Sequence, residues 1–201
     1  MSLINSQWDD KVKRLRGCFF LKKRVHVFGA SGSGTTTIAK MLCDRLGYRH
    51  FDTDDFFWET TLRPFTVIRP IEQRKELLQS ELESNDKWIL SGSLCGWGDI
   101  FIPYFELVIF VYLPKEIRME RLKEREYERY GDSILPNGEL HEKSQEFINW
   151  ASKYDDSTEI GRNSQRHQQW FLDIPCPKLK IENSGALIES VNDISNQLLQ
   201  G

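Results

Sequence analysis

The 201-residue sequence predicts an α/β fold in three layers, a five-stranded parallel sheet with helices on both faces. Three observations carry that prediction. Short apolar runs alternate along the chain with stretches of helical spacing. The runs themselves do not alternate polar with apolar, the pattern of strands covered on both sides. The first run passes through a glycine-rich turn directly into a helix, "VHVFGASGSGTTTIAKML".

Val25–Phe28 reads as a buried strand, and Thr35–Leu46 as a helix stopped by Gly47. Tyr48–Phe51 is a second short strand feeding an acidic loop. Ile71–Glu83 has helical spacing through Ile71, Leu77, Leu78 and Leu82. "KWILSGS" gives a third strand ending at Gly92, and "LVIFVYLP" a fourth, halted by Pro114. Glu116–Tyr130 is a strongly charged helix, and 131–140 a loop rich in turn residues. Helices are expected at about 141–153 and 158–172, a fifth strand in "PKLKIENSG", and a closing helix over Leu187–Leu199. The expected organisation is an N-terminal extension, 1–23, and one domain, 24–201, whose residues 118–166 form a helical and loop lid.

Composition narrows the class. Hydrophobic residues at 39% and charged residues at 28% are those of a soluble globular protein. A net charge of −3 exerts no global pull on nucleic acid or an anionic membrane, and the basic clusters "KVKRLRG" and "LKKR" are small enough for a solvated face. Cys18, Cys43, Cys95 and Cys176 lie far apart, with no C-x-x-C pair, which argues against zinc or a disulfide framework and suits a reducing, cytoplasmic setting. No apolar run approaches the roughly 20 residues of a membrane span, and the N-terminus lacks the apolar core of a secretory signal.

The chemistry is concentrated in three places. Gly29 and Gly34 have the spacing of a phosphate-binding loop, G-x-x-x-x-G-K-[ST], but Thr35 stands at the lysine position. The backbone of Gly29, Ser31, Gly32, Ser33, Gly34 and Thr35, with the helix N-terminus, is a nest for phosphate oxygens. Thr36 occupies the position whose hydroxyl ligates Mg²⁺, with Thr37 beside it. Thr35 carries no charge, so transfer chemistry requires a cation from elsewhere. Lys40 lies a turn further on, and its stem points away from the loop. A turn that binds nothing is the bland alternative.

"HFDTDDFFWE" places Asp52, Asp54 and Asp55 beyond the second strand, at the end of the sheet where ligands bind. Such carboxylates hold Mg²⁺ through water or take the proton of a hydroxyl being phosphorylated; the alternative makes them helix caps. Phe56, Phe57 and Trp58 offer a stacking wall or, alternatively, core. Arg118, Arg121, Arg125 and Arg129, three, four and four apart, share a helix face. Glutamates intersperse them, so surface salt bridges are the competing reading. Arg162 and Arg166 sit four apart on a later helix across the flap, where His167 reads as a surface or packing residue.

Taken together, "GASGSGTTT", "FDTDDFFW", "WILSGS", "VYLPKEIRMERLKER" and "IENSG" resemble the P-loop small-molecule kinases: adenylate-kinase-like nucleoside monophosphate kinases and their shikimate, gluconate and nucleoside kinase relatives. The resemblance runs from Arg24 to about Leu199. It implies an ATP- and Mg²⁺-dependent phosphotransferase acting on a small hydroxyl- or phosphate-bearing acceptor, foremost a nucleoside or nucleotide, as a monomer or homodimer. It implies ATP contacts from the loop, Arg118, Arg166, Asn183 and Gly185, and Mg²⁺ held by Thr36 and Asp52. Asp54, Arg121, Arg125 and Arg162 are the implied catalytic groups. Asp54, Asp55, Phe57, Trp58, Arg63, Arg69 and Gly92 are implied at the acceptor. "GSGTTT" is also similar to a lysine-lacking loop of some cytidylate-kinase-like proteins. The alternative from another class is a regulatory protein that binds ATP without transferring phosphate.

Overall fold

The computed structural model describes residues 22–62, 64–156 and 161–200. Arg63 and residues 1–21 of the N-terminal extension lie outside them. Five strands, β1 (Arg24–Gly29), β2 (Arg49–Asp52), β3 (Trp88–Ser91), β4 (Leu107–Tyr112) and β5 (Lys178–Glu182), pair in parallel in the order β2-β3-β1-β4-β5. The helices are α1 (Thr35–Leu46), α2 (Thr53–Phe57), α3 (Ile71–Glu83), α4 (Lys115–Tyr130), α5 (His141–Ser152), α6 (Ser164–Asp173) and α7 (Leu187–Gln200). Two 3₁₀ turns, Asp99–Tyr104 and Gly131–Ile134, complete the described elements.

The central strands are buried on both faces because successive side chains enter different cores. Val25 and Val27, Ile89, and Ile109 and Val111 point into an aliphatic layer closed by Ile38 and Leu42 of α1 and Val191, Ile194 and Leu198 of α7. Phe28, Trp88, Leu90, Val108 and Phe110 point the other way, into an aromatic layer with Leu78 and Leu82 of α3 and Ile174 after α6. Among the described residues no helix is long and apolar enough to cross a membrane.

The structure departs from the sequence expectations at two elements. The acidic loop contains a short helix, α2, whose first turn is capped by Asp52. The helix expected at 158–172 begins at Ser164, because the Asn163 side chain accepts from the Arg166 amide and caps it there. Residues 157–160 are outside the described set, and Arg162 precedes the helix rather than lying on it.

Two histidines are sealed in the aromatic layer. His26 stacks on Phe105 at 4.9 Å, donates from Nδ1 to the Leu90 carbonyl at 3.1 Å, and leaves Nε2 without a partner. Burial lowers the pKa values of His26 and of His167 from 6.5 to about 3. An unfolded chain takes up these protons near pH 6.5 and the folded one only near 3, so this stability is complete above 6.5 and is lost as pH falls toward 3. The two histidines should together contribute a slope of about 2.7 kcal/mol per pH unit across that window, and His26→Leu should remove about half of it, read as urea unfolding free energies against pH.

Candidate active site

The phosphate loop leaves the carboxyl end of β1, the middle strand of the sheet. A Cβ on Gly29 would collide with the Val111 carbonyl of neighbouring β4. Gly32, at φ +85°, has the Arg118 carbonyl 2.8 Å from where its Cβ would stand. Gly34, at φ +93°, has Asn183 Nδ2 at 2.6 Å from the same point. The loop therefore lies flush against its neighbours on three sides. Helix α1 follows with no side-chain cap and no acidic residue in its first turn. Its leading amides remain free for an anion.

At the next strand end, one carboxylate gathers three donors. Thr36 Oγ1 donates to Asp52 Oδ2 at 2.8 Å, Ser91 Oγ donates to the same oxygen at 3.0 Å, and the Asp54 amide donates to Oδ1 at 3.0 Å. Parallel register sets this up, since Asp52 lies opposite Ser91 and Ser91 opposite Val27. His50 Nε2 meets Ser91 Oγ at 3.0 Å, adding a residue that the sequence reading did not single out. Asp52 is thus a cap and a partner of Thr36 at once. Among the described residues no group of three or more His, Cys, Asp or Glu could hold a metal ion. A hydroxyl beside one carboxylate suits Mg²⁺, which keeps water and phosphate oxygens among its ligands rather than a full protein cage.

Asp54 is reached by solvent yet crowded by protein. That crowding, and the Asp52 carboxylate, raise its pKa, while Arg162 and Arg125 pull it down. Asp55 is also exposed, with its pKa raised by partial burial and by Asp52. Phe56 is core, packed on Phe51, so it takes no part in a stacking wall. Phe57 and Trp58 are half-buried and meet edge to face at 5.0 Å. Trp58 pairs with Ile68 across a hairpin whose tip returns Phe65 to its ring. Arg69 donates to the carbonyls of Asp55 and Phe56 at 3.0 and 2.6 Å, which commits it to closing the end of α2. Gly92, at φ +100°, has no room for a Cβ beside Thr53.

The cation on this side is one the sequence reading missed. Arg74 lies on the buried face of α3 with Leu78 and Leu82. Its guanidinium stacks on Phe57 at 3.9 Å and donates through Nε to the Arg69 carbonyl at 2.6 Å. A charged residue on an apolar stripe was the available signal.

The arginine row of α4 divides by depth. Arg118 is 0% exposed, held by Asp155 at 2.5 Å, the Ala151 carbonyl at 3.1 Å and the Ser31 carbonyl at 3.4 Å. It braces the loop from behind, which differs from the ATP contact expected of it. Arg121 donates to the Asn183 carbonyl at 3.3 Å, beside Gly34. Arg125 lies over Phe147, donates no hydrogen bond to any described residue, and has a buried Nε without a partner. Arg162 stacks on Trp150 at 4.8 Å and donates to Ser31 Oγ at 2.9 Å. Arg166 is exposed and turned back to the Gly161 carbonyl at 2.6 Å, away from the loop. Asn183 is fully buried, donating to the Ser33 carbonyl at 2.9 Å, and Gly185 is exposed on the loop before α7. Lys40 is exposed on α1, within electrostatic reach of His50 and Asp55.

Residues 25–149 match the family described as an AAA domain. The chain is 44% identical over 178 residues to "Uncharacterized protein YqaC" of Bacillus subtilis, covering 89% of this chain and 98% of that protein. It is 25% identical over 114 residues to a cytidylate kinase of Archaeoglobus fulgidus, covering 51% of this chain and 62%, less than two thirds, of that enzyme. Among solved structures, a shikimate kinase from Acinetobacter baumannii in complex with shikimate superposes with a TM-score of 0.53 at 18% identity, covering 92% of this chain and 96% of that one. At that identity the likeness speaks for the fold.

The brace can be tested separately from the chemistry. Asp155→Ala should destabilise the protein by about 3 kcal/mol or more, because it strands the buried Arg118 charge. Asp156→Ala, which removes the exposed partner of Lys115, should cost less than about 1 kcal/mol in the same urea titration.

Proposed function

The chain belongs to the AAA domain family, and from that premise we propose that it is a P-loop kinase of the adenylate-kinase-like group, one that transfers the γ-phosphoryl group of ATP to a small hydroxyl- or phosphate-bearing acceptor, foremost a nucleoside or nucleotide. One observation carries the proposal. Asp54 lies within electrostatic reach of Arg125 and Arg162, and Arg162 is hydrogen-bonded to Ser31 of the phosphate loop.

In this reading the backbone amides of Ser31–Thr35 cradle ATP phosphates, with Thr37 on the following turn. Thr36 and Asp52 would hold Mg²⁺, which supplies charge neutralisation on the phosphates. Asp54 receives the proton of the acceptor hydroxyl as the new oxygen–phosphorus bond forms and the bond to the ADP oxygen breaks. Its pKa, raised by crowding, favours that task. Arg125 and Arg162 offset charge on the moving phosphoryl group, and Arg121 faces the nucleotide beside Asn183 and Gly185. Phe57 and Trp58 provide a flat wall for a base, Gly92 lets the acceptor approach, and Asp55 borders it. The outer nitrogens of Arg74 donate to no described residue and suit an anionic group on the acceptor. Arg69 supports this wall from beneath.

Thr35 favours the second reading, a regulatory protein that binds ATP without transfer. ATP consumption with Mg²⁺ across nucleosides, nucleoside monophosphates and small hydroxy acids, measured beside ATP binding, separates the two. Acceptor-dependent turnover establishes the kinase; tight binding with no turnover favours the regulator.

Two variants sharpen the assignment. Asp54→Asn should abolish turnover while Mg-ATP affinity in equilibrium binding stays nearly intact; lost affinity would recast Asp54 as structural. Arg162→Ala should lower kcat by about 10³-fold, the scale of a transition-state arginine. Adding Thr35→Lys to that variant should recover part of the rate in the same assay, if Arg162 supplies the charge that the loop lacks.

A further inference from the structure

His167 holds two loops that flank the candidate site. Its side chain is fully buried, at 0% exposure, and walled by the ring edges of Phe28 at 5.2 Å and Phe110 at 6.3 Å. An aliphatic residue would suit such surroundings better, since a buried polar ring is costly unless both nitrogens find partners. Both do. Nε2 shares a hydrogen bond of 2.9 Å with Ser93 Oγ, one residue past the acceptor-side Gly92. Nδ1 shares another of 2.9 Å with the Tyr154 hydroxyl, at the root of the lid.

The same residues fix the chain beside Arg162. The Ser164 amide donates to the Tyr154 carbonyl at 2.8 Å, tying the start of α6 to the turn after α5. The His167 amide donates to the Asn163 carbonyl at 3.0 Å, beside Arg162 itself. Arg162 then leaves this knot, crosses Trp150 and ends on Ser31. His167 therefore touches neither the phosphate loop nor Asp54, but it secures the anchorage of the cation that touches the loop.

Resting on the kinase reading above, we propose that His167 is a positioning residue, one that joins the loop after β3 to the lid root through Ser93 and Tyr154 and so holds Arg162 over Ser31. The ring burial that lowers its pKa to about 3 also keeps it neutral, with one nitrogen donating and one accepting. A neutral ring can serve two hydroxyl partners at once without a buried charge.

The test combines a double-mutant cycle with a spectroscopic readout on the full chain. His167→Phe should lower kcat by about tenfold to a hundredfold, the scale of a misplacement of about 1 Å, with KM for Mg-ATP changed less than about threefold. His167→Gln, which retains a donor and an acceptor, should recover part of that loss. In an Arg162→Ala background His167→Phe should cost nothing further, because its effect runs through Arg162. Additive losses, or an unchanged kcat in folded His167→Phe, overturn the proposal. If that variant does not fold, Tyr154→Phe removes one of the two hydroxyls and carries the same expectations.

The guanidinium Nε–Hε resonance of Arg162 reads the position directly. It should shift or broaden in His167→Phe while the backbone amide spectrum keeps its dispersion, and an unchanged resonance overturns the proposal. Should the wild-type protein turn over no acceptor, the kinase reading falls, and this resonance alone decides whether His167 holds Arg162.

Discussion

A guanidinium that meets no solvent sets the shape of the phosphate loop. Arg118 binds the loop at the Ser31 carbonyl, the end of α5 at Ala151, and Asp155 beyond it. Its stem and backbone fill the space where a side chain on Gly32 would stand. A buried charge is tolerable only with its partners in place, so the loop, α4 and the end of α5 keep one mutual arrangement or lose several kcal/mol. Asn183 completes the enclosure from the β5 side through the Ser33 carbonyl. The loop's conformation is imposed from outside itself.

That independence bears on the missing lysine. A nest built from backbone amides and fixed by Arg118 and Asn183 does not need a particular side chain at position 35. The arginines of α4 and of the chain beyond it differ instead by depth. Arg118 is sealed, Arg121 lies toward Asn183, and Arg125 and Arg162 lie within electrostatic reach of Asp54. The Thr36–Asp52–Ser91 cluster ties the second and third strand ends to the same loop. Strand register thus brings Thr36, Asp52 and Ser91 together beside the loop.

The sheet was legible because strands covered on both faces leave unbroken apolar runs, and the glycine loop because its spacing sits between a strand and a helix. Five-residue α2 was not, since a single helical turn has no periodicity to detect. Asp52 read as a metal ligand or a cap, and the structure makes it the cap of α2 and the acceptor of the Thr36 hydroxyl. Helical spacing along α4 could not separate the sealed Arg118 from the half-buried Arg125, because depth is set by what packs against each turn. The four-residue interval between Arg162 and Arg166 suggested one helix, but Asn163 starts the helix between them. Arg74 was overlooked, and His167 read only as a surface or packing residue, for a shared reason: each is a polar residue on an apolar stripe, and such a residue's partners are set by the fold.

The resting places of the arginines have a kinetic meaning. Arg74 lies on Phe57, Arg125 on Phe147, Arg129 on Phe65 and Arg162 on Trp150. None of these four guanidinium groups is recorded in an ion pair with a carboxylate among the described residues. Leaving a ring costs each about 0.5–2 kcal/mol, a shallow well that an incoming anion need not compete hard to empty. A latch of surface ion pairs would loosen as ionic strength rose. Cations resting on aromatic faces are held by contact with the ring, so these four resting places should be largely indifferent to salt.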